Sequence, residues 1–240
     1  MAINKLIIFF GQSNCRGAEP MATLPVERQG LKLNLRIWDG TKFECIDSTT
    51  NNNQLIEKLN EYSYEFWLED LSPDLNQDIY VLKYGIGGAR LANSAPTWNV
   101  AGALWAALQT EIDDIEAWMT ARGKEFEWHS VIWHQGESDS GISLAFANQY
   151  EGNETALISA IDTKLGTTPF FYNVGINPDL NREWDSIVDA AKHTTTSNDT
   201  TTRRYVSQTG VSLQGDNTHL NAAGTETLGN LIVNTIKSDL

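Results

Sequence analysis

Short apolar runs, each ended by glycine or by a burst of polar residues, alternate along this chain with stretches of helical periodicity. Leu6–Phe10 (LIIFF) is continuously apolar and stops at Gly11, the pattern of a strand buried on both faces. Ile79–Tyr84 (IYVLKY) repeats it and stops at Gly85. Val131–Trp133 with its flanks, Pro169–Val174 and, more weakly, Arg204–Ser207 supply the remaining strands of five. Between them, Leu104, Trp105, Leu108, Ile112, Ile115, Trp118 and Met119 recur at helical spacing, with Glu111, Asp113, Asp114 and Glu116 largely on the other side and Gly123 as the stop. Leu55, Ile56, Leu59, Tyr62, Phe66 and Trp67 predict an earlier helix. Asn221 caps a last one whose apolar positions include Leu228, Leu231, Ile232 and Ile236. Strands alternating with helices imply a parallel sheet covered on both faces. Asp47–Gln54 and Thr194–Thr202 read as surface loops, no internal repeat stands out, and residues 1–240 form one domain.

Composition narrows the partners. With 41% hydrophobic and 20% charged residues in 26.7 kDa, the chain has ordinary globular character. No apolar run approaches the roughly 18–20 residues of a membrane span, and the run ending at Phe10 is too short for a signal peptide. The expectation is a soluble chain with no secretion signal of its own, its site of action left open. A net charge of −14 repels phosphate backbones, so nucleic acid is not an expected partner. Cys15 and Cys45 make no disulfide framework. His129, His134, His193 and His219 show no metal-ligand spacing, so neither a metal nor an organic cofactor is expected.

In open parallel sheets ligands bind beyond the carboxyl ends of the strands, so the segments that follow each strand are where chemistry belongs. After the first run stands Gly11-Gln12-Ser13-Asn14, a turn able to raise a serine hydroxyl to the sheet's open edge beside backbone N–H groups. Taken alone, such a serine is more often a cap. After the second comes Gly85-Ile86-Gly87-Gly88-Ala89-Arg90, whose glycines permit positive φ and close backbone approach, although a plain tight turn uses them too. After the third, Trp133-His134-Gln135-Gly136-Glu137-Ser138-Asp139 sets polar groups directly behind an apolar strand, where they must pair with one another or with a ligand. Near the C-terminus, Asp216 precedes His219 by three residues on the loop before the last helix. That carboxylate can orient the imidazole through Nδ1 and leave the other nitrogen to take a proton from a serine. His134 is the rival base.

These four blocks, in this order, resemble the SGNH (GDSL-like) hydrolase superfamily, in particular its carbohydrate acetylesterases of the sialate O-acetylesterase and acetyl xylan esterase kind. GQSN is matched by Gly11–Asn14, the glycine pair by Gly87 and Gly88, WxQGExD by Trp133, Gln135, Gly136, Glu137 and Asp139, and DxxH by Asp216 and His219. The resemblance implies an α/β fold, a three-layer α/β/α sandwich on a flavodoxin-like five-stranded parallel sheet of order 2-1-3-4-5. It implies a serine esterase removing O-acetyl groups from a polysaccharide or glycan through an acetyl-serine intermediate. Ser13 would be the nucleophile, His219 the base and then the acid, and Asp216 its orienting partner. The Ser13 N–H, the Gly88 N–H and the Gln135 side chain would hold the oxyanion, without metal or cofactor.

The chain departs from the family pattern in places. Cys15-Arg16 follows GQSN where small residues are common, so Arg16 and Arg90 either contact substrate or pair with acidic neighbours such as Glu19. Ser63-Tyr64-Glu65 stands where Gly-Pro-Glu is usual, so no role carries over to Glu65. Glu137 is a supporting or alternative acid partner for His219. Trp98, in a Pro-Thr-Trp-Asn loop, is the candidate sugar-stacking platform, whereas Trp105 and Trp118 fit core positions. Two other functions fit the same pattern: a glycan-binding module on a degenerate hydrolase fold, and an esterase for non-carbohydrate short acyl esters.

Overall fold

The structure, a computed structural model, describes residues 3–49 and 61–240. Its strands are β1 (Asn4–Gly11), β2 (Glu19–Pro20), β3 (Leu31–Trp38), β4 (Phe43–Asp47), β5 (Glu61–Tyr62), β6 (Ile79–Gly85), β7 (Phe126–His134), β8 (Phe170–Val174) and β9 (Arg203–Val206). Its helices are α1 (Ser13–Arg16), α2 (Ser72–Leu75), α3 (Ala103–Ala121), α4 (Glu137–Ile142), α5 (Leu144–Leu165), α6 (Asp185–Ser197) and α7 (Ala222–Lys237). A seven-stranded sheet runs β4-β3-β6-β1-β7-β8-β9, with β2 and β5 paired apart from it. All neighbours in the large sheet are parallel except β3 and β4.

The five strands expected from the apolar runs are β6-β1-β7-β8-β9, which is the order 2-1-3-4-5. The hairpin β3–β4 extends that sheet from five strands to seven. Its first strand is not continuously apolar, and it pairs with β6 only over residues 35–37: Leu31 and Leu33, before that stretch, are exposed, while Leu35 and Ile37 within it are buried.

Side-chain alternation along β1 explains the three layers. Leu6, Ile8 and Phe10 join one core with Leu108, Ile112, Ile115 and Met119 of α3 and Leu157, Ile158 and Ile161 of α5. Ile7 and Phe9 join the other, with Leu228, Ile232 and Ile236 of α7 and with Phe66, Trp67, Leu68 and Leu71 from a 3-10 helix over Tyr64–Leu71. Each such buried side chain stabilises the fold by about 1.5–3 kcal/mol. Asn221 does cap α7, its side chain accepting the Gly224 N–H at 2.8 Å.

Two local expectations are corrected. The helix expected to end at Trp67 is absent from its described part: Tyr62 lies in β5, Ser63 is extended, and Phe66 and Trp67 belong to the 3-10 helix. Leu55, Ile56 and Leu59 fall outside the described residues. The stretch from Thr194 is not all loop, since α6 continues to Ser197 and buries Thr195 and Thr196. Among the described residues, no helix is long and apolar enough to cross a membrane.

Candidate active site

Three loops meet because three adjacent strands end on one rung. Gly11 pairs with Gly85 of β6 on one side and with His134 of β7 on the other. This is where the strand order reverses, the position at which open parallel sheets bind ligands. Gly11 sits at φ +151°, and a Cβ there would lie 1.9 Å from the His134 carbonyl oxygen, so only glycine fits. The chain then turns through Gln12 into the single-turn helix α1, with Ser13 as its first residue.

His219 Nε2 lies 3.0 Å from Ser13 Oγ, and His219 Nδ1 lies 2.6 Å from Asp216 Oδ2. Asp216 Oδ1 accepts the backbone N–H groups of Thr218 (2.9 Å) and His219 (3.0 Å), which fixes the carboxylate to the loop it serves. Partial burial works to raise the Asp216 carboxyl, but the His219 and Thr218 hydrogen bonds outweigh it and hold it below the usual range. With Nδ1–H donated to Asp216, Nε2 is free to accept the Ser13 hydroxyl proton. Ser13 and His219 line an open cleft of about 430 Å³ together with Gln12, Arg16, Gly87, Gly88, Ser138, Arg182 and Thr218.

The family model for carbohydrate esterases described as sialic acid-specific acetylesterase matches residues 3–238. The chain belongs to that family. Its fold is shared by a protein from Arabidopsis thaliana (TM-score 0.82, 17% identity, 99% of each chain covered) and by NanS (TM-score 0.72, 12% identity, 99% of this chain and 97% of that one). Est24, a carbohydrate acetylesterase from Sinorhizobium meliloti, aligns with TM-score 0.60 at 15% identity over 99% of this chain and 100% of its own. No curated protein matches the chain by sequence.

Within this family member, several residues stand apart from their expected places. Gln135 is fully buried and does not line the cleft. Its amide nitrogen donates to Asp139 Oδ2 (2.6 Å), Gln12 Oε1 (3.2 Å) and the Ala89 carbonyl (3.2 Å), so it has no donor to spare for an oxyanion. Its neighbour Asp139 accepts the N–H groups of Leu91 and Ala92, both at 2.9 Å, and thereby fixes the loop that follows Gly87-Gly88. Trp98 offers no stacking face: it is 0% exposed, wedged among Phe10, Tyr84 and Trp133, and its Nε1–H donates to the Gly11 carbonyl at 2.9 Å. It is a core prop under the end of β1. Arg90 braces its own loop through the Ala95 carbonyl at 2.9 Å and stays outside the cleft lining. Arg16 does reach the cleft, and its acidic neighbour is Glu61 at 3.8 Å, not Glu19.

Glu137 is not the partner of His219. It is buried, with Oε1 2.9 Å from Asn14 Nδ2 and 3.4 Å from His134 Nε2. His134 is fully buried too, bonded to the Tyr64 hydroxyl at 3.2 Å, and lies outside the cleft lining. Burial alone would raise the Glu137 carboxyl, yet the hydrogen bond and charge of His134, with the Asn14 amide, bring it down to about 2. A carboxyl lowered on folding contributes stability that is complete above its unfolded value and lost as pH falls toward the folded one. Melting temperatures followed from pH 6 to pH 2 are therefore expected to fall more steeply for wild type than for Glu137→Gln, with the difference opening below about pH 4.5. Parallel curves would show that Glu137 titrates as it does in the unfolded chain.

Sequence reasoning passed over Gln12, Ser138, Arg182 and Thr218. Gln12 carried the most accessible signal, standing between the strand-ending glycine and the serine. Its Oε1 is held by the N–H of Ser138 (3.1 Å) and the side chain of Gln135 (3.2 Å), while its Nε2 has no hydrogen-bond partner among the described residues.

Proposed function

We propose that the protein is a serine carbohydrate O-acetylesterase. The observation that carries this reading is the relay Asp216–His219–Ser13, with links of 2.6 and 3.0 Å, opening on a cleft at the strand switch point. Ser13 Oγ attacks the acetyl carbonyl carbon as its proton passes to His219 Nε2. The developing oxyanion is met by the backbone N–H of Ser13 and of Gly88, which sits at φ +70° and lines the cleft. Gln12 Nε2 supplies the side-chain donor in place of Gln135. Collapse breaks the ester bond, His219 returns the proton to the departing sugar oxygen, and the acetyl group stays on Ser13. Water then attacks the acetyl-serine with His219 again as base; the acyl–Oγ bond breaks, His219 returns the proton to Ser13 Oγ, and acetate leaves.

Membership of the family supports an acetylated carbohydrate as substrate. Arg16 and Arg182 bring two guanidinium groups to the cleft of a chain whose net charge is −14, which favours sugars that carry a carboxylate. An acetate-release screen over O-acetylated sialic acids, acetylated xylan and p-nitrophenyl esters of increasing chain length tests the reading. Release is expected, fastest from the acidic sugars, and with acetate preferred among the p-nitrophenyl esters. Preference for longer acyl chains would move the protein to non-carbohydrate esters; glycan binding without turnover would make it a binding module.

A further inference from the structure

The base and the nucleophile lie 206 residues apart in sequence, and no strand pairing joins the segments that carry them. Asn14, the residue after the nucleophile, spans that gap. Its Nδ2 donates to the Thr218 carbonyl at 3.0 Å, and its Oδ1 accepts the Leu220 N–H at 3.1 Å. These two groups flank His219, so one amide pairs with the backbone on both sides of the base as a neighbouring strand would.

An amide can make this pair of bonds in only one orientation. Reversed, its NH₂ would face the Leu220 N–H and its oxygen the Thr218 carbonyl. The Glu137 carboxylate removes that ambiguity, because it accepts from Asn14 Nδ2 at 2.9 Å and would repel the oxygen. Asn14 and Glu137 are both buried, at 4% and 1% exposure, so water does not substitute for either bond. The Asn14 backbone is fixed as well, its carbonyl accepting the Ser63 hydroxyl at 2.5 Å. From these contacts we infer that Asn14, oriented by Glu137, is a positioning residue that sets His219 at hydrogen-bonding distance from Ser13. The inference rests on the esterase reading for its catalytic consequence, but the clamp itself is a matter of geometry.

Asn14→Asp keeps the shape and the acceptor for Leu220, removes the donor to Thr218, and places a second carboxylate against Glu137. Misplacing a catalytic group by about 1 Å costs up to about 100-fold, so kcat for acetate release is expected to fall about 10–100-fold with KM within about twofold. Rates are to be counted per active site titrated with a serine-directed phosphonate, which removes any contribution from unfolded protein. Combining the substitution with Glu137→Gln relieves the charge repulsion and is expected to recover part of kcat. A second readout is the low-field proton resonance of His219 Nδ1–H, expected to shift or broaden in Asn14→Asp. A titrated kcat within twofold of wild type, or an unchanged His219 resonance in the folded variant, overturns the inference. If wild type releases no acetate from any substrate, the esterase reading fails, and the resonance still decides on the clamp.

Discussion

Ser13→Ala is expected to abolish acetate release, with kcat at least about 10⁴-fold below wild type, and to leave the fold intact. The reason lies in what the substitution removes and what it spares. Alanine loses only Oγ, whose sole hydrogen bond among the described residues is to His219, and Ser13, in the single-turn helix after β1, belongs to neither hydrophobic core. One such bond is worth about 1 kcal/mol to stability, so the melting temperature should move by only a few degrees. Backbone donors and substrate contacts survive, and they sustain a residual rate above that of water. A double variant with His219→Ala should be no slower than either single one, because nucleophile and base act as a unit. Acetate release beside circular dichroism melting checks both halves. Activity within tenfold of wild type in folded Ser13→Ala would place the nucleophile elsewhere.

The second large effect is at Asp216. Asn in its place presents either an oxygen that can still accept from Nδ1–H or an NH₂ that cannot, and the latter turns the imidazole to the tautomer whose Nε2 carries a proton facing Ser13. Loss of about 10²–10³ in kcat is expected, with little change in KM. The magnitude falls short of what a buried acid gives, since the Asp216 side chain is 47% exposed and water can share its task. Because its carboxyl is held below the usual range, Asp216 stays ionised through mildly acidic pH and does not set the acid limb of the wild-type rate profile. Glu137→Gln reaches His219 only through Asn14 and is expected to cost less than Asp216→Asn. A larger loss there than in Asp216→Asn would exchange the roles of the two acids.

The sheet was legible wherever a strand is covered on both faces. Leu6–Phe10 and Ile79–Tyr84 announce themselves as unbroken apolar runs because α-helices close over both sides. Leu31–Trp38 does not, since Leu31, Leu33 and Asn34 face solvent. Helix α5 was hidden for another reason: its buried stripe of Ala147, Tyr150, Leu157, Ile158 and Ile161 contains Glu154, paired inside the core with Lys192 and bonded to Trp133 Nε1 and Asn173. A carboxylate in a core face breaks the apolar period, and only the three-dimensional partner explains it. At the site, Ser13, Asp216 and His219 could be found because motif order fixes which loops they occupy. Motif order could not tell which face of the β7 loop Gln135 and Glu137 take, nor that the loop after Gly88 folds Trp98 back under Gly11. Those outcomes depend on hydrogen bonds between segments far apart in sequence.

The common rung on which β1, β6 and β7 end divides the site into unequal halves. Ser13 and the glycine loop rise directly from paired strands, whereas His219 belongs to a loop in which Gly215, Asp216 and Asn217 are exposed. Segments with few buried contacts open at lower free energy than the sheet they attach to. The working lifetime of the enzyme at elevated temperature is then expected to follow that loop. Substitutions that strengthen the sheet would raise the unfolding temperature and leave the half-life of activity where it was, whereas a tighter loop between Gln214 and Asn221 would lengthen it.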